Sequence, residues 1–416
     1  MTNKVLFSPL SLPNGTSLPN RLCKAAMEEN LSTPDHLPGD DLFTLYKTWA
    51  KGGVGLMLSG NVMVAPDALS GPGAVVLEAS SDLEPFKKWA RAGTPADGQF
   101  WMQINRPGRQ IQVAMGEQAV APSAIAVDIG RHSKIMAQPR ALESNEIKEI
   151  IKRFVTTASL AEQAGFSGVQ LHAAHGYLIS QFLSPLTNKR TDEWGGSLEN
   201  RARFLFDTLK GIRAVVSPGF SVSVKLNSAD FQKGGFDVQD AKWVTQQLNG
   251  LGVDLLELSG GSYESPAMHG QGDESSTSKR EAYFVDFARD IATVADMPIM
   301  VTGGIYKKDT AIAALEKDAA GFGVDVLGIA KALAYVPNLP DLWIAGKHSE
   351  VSLPRAEWKD PMLAGAATTS IARRQLVRMS NGKAPDANAS PLVSFVLDRL
   401  RTRKLLKRYH SWRKGQ

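Results

Sequence analysis

Short apolar runs and longer amphipathic stretches alternate along this chain eight times. The runs 22–27 (LCKAAM), 56–63 (LMLSGNVM), 99–105 (QFWMQIN), 168–172 (GVQLH), 221–227 (SVSVKLN), 255–259 (LLELS), 299–302 (IMVT) and 326–329 (VLGI) have the length and composition of buried strands. Segments near 41–51, 82–92, 145–164, 198–215, 238–250, 283–294, 308–316 and 339–346 carry apolar residues at helical spacing. Several end at a glycine (Gly52, Gly93, Gly165, Gly252), the usual C-terminal punctuation. Such alternation predicts parallel strands joined by right-handed crossovers. Eight units in about 325 residues predict an α/β fold of the (β/α)8 TIM-barrel type, because open doubly wound sheets have fewer units.

The two ends break the pattern. Residues 5–18 place Asn14-Gly15 between two apolar stretches, which predicts a β-hairpin plugging the N-terminal end of the barrel. After about residue 350 the alternation stops, and residues 355–380 and 391–412 are predicted as helices separated by Asn381-Gly382-Lys383-Ala384-Pro385. The expected division is a barrel over 1–350 and a basic helical C-terminal extension over 351–416.

Composition narrows the class. With 416 residues, 43% apolar and 21% charged, the chain can bury a barrel core. A single cysteine, Cys23, excludes a disulfide framework and thiolate-ligated clusters. There is no apolar leader and no run near the roughly 20 residues that span a bilayer, so a cytoplasmic setting without stable membrane insertion is expected. The net charge of +5 misleads as an average: residues 399–416 hold eight basic side chains and no acidic one, leaving −3 for residues 1–398. A mildly acidic body argues against a nucleic-acid partner. In the tail, Leu400, Leu405, Leu406 and Tyr409 share a helical stripe expected to dock on protein, either the chain's own barrel or a second subunit of a homo-oligomer.

Barrel enzymes work at the C-terminal ends of their strands. Strand four ends in Leu171-His172-Ala173-Ala174-His175-Gly176-Tyr177, two imidazoles and a phenol able to hold a substrate oxygen and deliver a proton. The His-x-x-His pair could also bind zinc, but zinc wants a third protein ligand and no cysteine is nearby. Gln103, at the end of strand three, offers a donor and an acceptor that suit a planar heterocycle. Lys225 on strand five is a buried cation that needs an anionic partner, which could be Asp230, Glu257 or an anionic ring; it could equally be a Schiff-base lysine. Gly303 and Gly304 after strand seven, with Ala330 and Lys331 after strand eight, stand where barrels often bind phosphate.

These residues resemble the Old Yellow Enzyme family of flavin-dependent oxidoreductases. The resemblance is most specific at 168–206 and extends over roughly 5–350, including NRLCKAAM, QINRPGR, VKLNSADF and VTGGI. It implies a non-covalent FMN across the top of the barrel and NADPH or NADH as reductant. Gln103 would meet the pyrimidine edge, with Ala26, Met27, Glu28 and Gly60 beside the ring and Lys225 near N1 and O2. Gly303, Gly304, Ala330 and Lys331 would hold the phosphate. His172 and His175 would bind the carbonyl of an α,β-unsaturated small molecule, and Tyr177 would protonate its Cα. The chain departs from the family at Lys225 (usually arginine), Ala330-Lys331 (usually Gly-Arg), Arg106-Pro107-Gly108-Arg109 (commonly His-x-Gly-Arg) and Glu28 (usually threonine or cysteine). Glu28 would either face the flavin's O4–N5 edge or turn away to an arginine such as Arg109. The expected activity is ene reduction; a lysine-dependent aldolase using Lys225 and a non-catalytic barrel scaffold are the alternatives.

Overall fold

The computed structural model describes residues 4–265, 287–347 and 350–415. Eight parallel strands close into a barrel: β1 (Leu22–Lys24), β2 (Leu56–Leu58), β3 (Gln99–Asn105), β4 (Gly168–Ala173), β5 (Ser221–Asn227), β6 (Leu255–Ser259), β7 (Ile299–Thr302) and β8 (Val326–Ile329). Closure comes from β8 pairing with β1, Leu327 opposite Leu22. Between the strands run α1 (Asp40–Ala50), α2 (Glu84–Gly93), α3 (Ser144–Gln163), the short α4 (Leu178–Leu183), α5 (Leu198–Arg213), α6 (Val238–Leu248), α7 (Lys308–Ala314), α8 (Lys331–Tyr335) and α9 (Leu339–Ile344). This is the (β/α)8 architecture expected from the alternation. The predicted helix at 283–294 begins among residues outside the described ones, and its described part is helical at 287–292. The predicted strand 56–63 is broken: after Leu58 the chain turns at Gly60 and resumes at Val62–Met63, which pairs with the end of β3. A Cβ on Gly60 would collide with the Glu29 carboxylate and the Met27 carbonyl, so the interruption brings two chain segments into backbone contact.

Strand alternation sorts the side chains. Cys23, Ala25, Leu56, Leu58, Trp101, Leu255, Met300 and Val326 fill the barrel interior together with Leu12 and Leu18 of the N-terminal hairpin. That hairpin, Leu10–Ser11 paired with Ser17–Leu18, forms as predicted and is pinned beneath the barrel. Asn14 donates to Ser221 Oγ (3.0 Å), and Gln99 Nε2 donates to Ser17 O (3.0 Å). The opposite strand faces pack on the helix layer, where Trp49, Trp89, Phe100, Phe154 and Trp343 are fully or almost fully buried.

The extension forms two antiparallel helices, α10 (Pro361–Ser380) and α11 (Pro391–Arg413), with α10 packed on α1 and α8. Their start signals are legible: Asp360 and Ser390 cap the first turns and proline follows each cap. The tail docks on its own barrel. Arg401 donates to the carbonyls of Glu29 and Asn30, Arg408 to Ser32 O (2.7 Å), and His36 stacks edge-on against Trp412 (4.4 Å). The predicted stripe is partly corrected: Tyr409 is buried and Leu406 packs beside it, but Leu400 is 54% exposed. Leu400 lies N-terminal to the turns that rest on the barrel loops, so it shares the outward face with Leu392, Val393, Val396 and Leu397.

Where the last turn of α11 meets the barrel flank, Glu117 is buried and burial pushes its carboxyl up to about 7. Its pKa is raised on folding, so its contribution to stability is full below the unfolded value of 4.5 and declines as pH rises through about 7. Glu117→Gln should therefore flatten the pH dependence of stability between those limits and raise stability at pH 8 by on the order of 2 kcal/mol. Melting curves of the two proteins across that range check it.

Candidate active site

The strand ends carry a continuous polar chain. Register places Gln103 beside Gln170, His172 beside Lys225 and Lys225 beside Glu257. Gln103 Nε2 donates to Gln170 Oε1 (2.7 Å), Gln170 Nε2 donates to Glu257 Oε2 (2.8 Å), and Lys225 Nζ pairs with Glu257 Oε1 (2.7 Å). All four side chains are buried. Of the partners that the sequence allowed for Lys225, the structure supplies Glu257 and not Asp230, which accepts from the amides of Asn227 and Phe236 instead. Gln170 was missed, although the alternation in GVQLH puts it on the same face as His172.

Above this floor stand the two histidines and Tyr177. The His172 and His175 rings are 5.0 Å apart, and those of His172 and Tyr177 are 4.8 Å apart, both edge-on. Burial, and then the nearby Lys225 cation, hold His172 well below the usual histidine range, so at neutral pH its ring is uncharged. The Ala174 N–H approaches Nδ1 (3.4 Å), which assigns the ring proton to Nε2. His175 has a left-handed backbone (φ 60°), and its Nε2 lies 2.6 Å from Ser259 Oγ. The two rings are thus not the equivalent pair that the sequence suggested, because Ser259 already engages His175. Tyr177 is 6% exposed, and burial raises its phenol well above 10.0, so it stays protonated. Its hydroxyl lies 3.4 Å from that of Tyr263, a residue not anticipated because it stands in a loop without pattern.

The expected flavin-flanking residues lie at the rim of β1 and β2. Ala26, Met27 and Glu28 are half-buried and Gly60 is buried. Glu28 does have an arginine beside it, but not Arg109, which pairs with Glu264 instead. Its carboxylate accepts from Ser70 Oγ (2.6 Å) and lies 3.7 Å from Arg373 of α10. Glu29, one residue on, points the other way. Tyr46 donates to Glu29, Gly60 N donates to Tyr46 Oη (2.8 Å), and Lys24 Nζ reaches Tyr46 (3.2 Å) and Leu58 O (2.8 Å). Burial pushes Lys24 down to about 8 and Glu29 up, so the two sustain each other's charge in an apolar wall. At the other side, Gly303 (φ 136°) and Gly304 (φ 66°) are exposed, with open space beside Gly303, while Ala330 is half-buried and Lys331 exposed.

These features fit FMN. Asn61 Oδ1, both amide atoms of Asn105 and Thr302 Oγ1 are buried at strand ends without partners among the described residues, which is the donor and acceptor set a flavin edge requires. Left-handed glycines open the backbone for a phosphate at β7. Among the described residues no cluster of three metal-ligating side chains occurs, and no helix is long and apolar enough to cross a membrane.

A barrel with this rim defines a flavin-dependent oxidoreductase. Residues 5–341 match the NADH:flavin oxidoreductase / NADH oxidase family, and the chain belongs to that family, the Old Yellow Enzyme family, with FMN and NAD(P)H as its cofactors. It is 37% identical to an NADH-dependent flavin oxidoreductase (iliE) of Hypocrea jecorina (strain QM6a) over 357 residues, 80% of this chain and 87% of that one. It is 32% identical to the corresponding nadA protein of Aspergillus parasiticus over 389 residues, 89% and 86% of the two chains. Among solved structures, morphinone reductase in complex with tetrahydroNAD superposes with TM-score 0.68 at 26% identity, covering 83% of this chain and 92% of that one. A 2-naphthoyl-CoA reductase superposes at 0.75 and 28% identity, but this chain spans only 53% of its length.

The Lys225–Glu257 pair sets a stability test. Glu257→Gln strands a buried cation and should cost about 3–5 kcal/mol, whereas combining it with Lys225→Met should recover most of the loss. Denaturant unfolding of the three proteins measures it.

Proposed function

We propose that this protein is an ene-reductase that reduces the activated C=C bond of α,β-unsaturated carbonyl compounds. The observation that carries the reading is the pairing of a neutral, Nε2-protonated His172 with a protonated Tyr177, rings 4.8 Å apart at the mouth of the barrel. The flavin, when bound, supplies the hydride. His172 donates from Nε2 to the substrate carbonyl oxygen, where negative charge gathers as the alkene accepts hydride at Cβ. A neutral donor is suited to this: it stabilises the developing charge without fixing the enolate as a tight ion pair. His175, steadied by Ser259, gives the second contact to the same oxygen. Tyr177 then gives its proton to Cα from the face opposite the hydride, so the two hydrogens add trans. Its raised pKa keeps the proton in place until a strongly basic carbanion forms.

Ala26, Met27, Glu28, Gly60 and Gln103 flank the flavin ring in this reading, with Gly303, Gly304, Ala330 and Lys331 at its phosphate. Lys225 contributes positive charge near N1 and O2 while Glu257 moderates it. NADH is the favoured reductant because the relatives at 37% and 32% identity carry NADH in their names. Nicotinamide and enone share the pocket in turn, so kinetics are ping-pong. The single, buried Cys23 suits a reducing cytoplasm.

Stopped-flow measurement of the two half-reactions tests the mechanism. Tyr177→Phe should leave flavin reduction by NADH nearly unchanged and slow enone reduction by about 10²–10⁴-fold. An equal loss in both halves makes Tyr177 a packing residue. A titration by a para-substituted phenol, followed through its charge-transfer band, should weaken by about 1.5–3 kcal/mol in His172→Ala. The His175→Ala loss should be smaller, because Ser259 competes for that ring.

A further inference from the structure

The C-terminal extension lies beyond the family match, which ends at residue 341, yet it brings a cation to the active-site rim. Arg373, on the face of α10 turned toward the barrel, sits 3.7 Å from Glu28, the residue that follows the flavin-flanking Met27. Its Nη1 donates to Asp398 of α11 (3.3 Å), and Asp398 is fixed in turn by Ser370 (3.1 Å). Among the described residues this is the only hydrogen bond Arg373 makes. Glu28 is beyond hydrogen-bond reach and is committed to Ser70, which leaves Nε and Nη2 without acceptors. The Arg373 side chain keeps 35% of its surface exposed, so it is not sealed in a closed core.

Arg373 is also a neighbour of Tyr263: burial and then the Glu28 carboxylate raise that phenol's pKa, the Arg373 guanidinium lowers it, and its hydroxyl is 3.4 Å from that of Tyr177. Arg373 therefore stands on the proton-donor side of the site, one residue removed from the group that meets Cα. We propose that Arg373 is a specificity-determining residue, donating from Nε and Nη2 to a neutral acceptor oxygen that the substrate carries away from its reacting alkene, such as a second ketone or a lactone carbonyl. The proposal rests on the ene-reductase reading. Its preference for a neutral oxygen follows from the local charge: Glu28 and Asp398 already offset Arg373 and the neighbouring Arg401, so a substrate carboxylate would find no net attraction to compensate the loss of its hydration. A carbonyl has far less hydration to lose and still receives a charge-assisted hydrogen bond.

The test uses bicyclic enones that share one alkene and differ only distally, bearing a ketone, a methylene or a carboxylate. Wild-type holoenzyme should favour the ketone in kcat/KM. Arg373→Ala should lose about 10- to 100-fold on the ketone and less than about twofold on the methylene compound, with flavin content and reduction by NADH unchanged. Arg373→Lys, which keeps a cation but not the fork, should recover part of the preference. Equal effects on ketone and methylene compounds, or wild-type preference for the carboxylate, would overturn the proposal. If wild type reduces no member although its flavin is reduced, the ene-reductase reading has failed. The same compounds are then titrated against the oxidised enzyme by difference spectroscopy. A ketone preference in binding that vanishes in Arg373→Ala upholds the assignment, and one indifferent to the substitution removes it.

Discussion

A closed parallel barrel must satisfy every polar side chain that its alternation turns inward, and here that demand falls on one buried carboxylate. Glu257 neutralises Lys225 and accepts from Gln170, which in turn accepts from Gln103. Four strands are thereby tied by side chains as well as by their ladders. Remove the carboxylate and the lysine is uncompensated, while Gln170 loses the acceptor that orients its amide toward Gln103. His172 lies directly above, and its neutral state depends in part on the same lysine. Charge balance inside the barrel and the protonation state of the rim are one problem with a shared solution.

A second buried network does for the β1–β2 side what Glu257 does for the β3–β6 side. Lys24 points out of the barrel into the cleft beneath α1, its ammonium 4.5 Å from the Trp49 ring and 4.7 Å from that of Tyr46. Tyr46 joins it to Glu29 and to the backbone of Gly60. The carboxylate lies where a side chain on Gly60 would be, so the glycine and the acid require each other. From the outside, Arg401 and Arg408 hold the carbonyls of the same loop. The segment after β1 is thus gripped on both faces, although it has neither strand nor helix structure of its own.

Much of this was legible before any coordinates. Short apolar runs and glycine punctuation located all eight strands, because a barrel strand buried on both faces leaves a dense apolar run. The rim residues His172, Tyr177 and Gln103 could be placed because each lies near the C-terminal end of such a run or in the loop that follows it. What stayed hidden depends on pairings between distant segments. Lys24 read as one polar residue in an apolar strand, and nothing local announced Tyr46 or Glu29 as its partners. Arg373 and Tyr263 were invisible for the same reason: one stands in an ordinary amphipathic helix and the other in a loop, and proximity alone gives them meaning. The break at Gly60 was missed because an apolar stretch does not reveal where another chain segment must pass.

The joining of β8 to β1 also constrains how the molecule is made. Leu22 meets Leu327, and the loop after β1 receives Arg401 and Arg408, so one edge of the first strand finds its neighbour only far downstream in the chain. Contacts of such sequence separation form slowly. On a ribosome, strands β1 to β7 and the hairpin beneath them would emerge as an open sheet with two unpaired edges, a state prone to association with other chains. The ring can shut once β8 clears the exit tunnel, but the loop after β1 takes its final form only when α11 follows. The extension is thus a closing latch, and a chain truncated before it would complete its barrel while leaving the β1 margin unfastened.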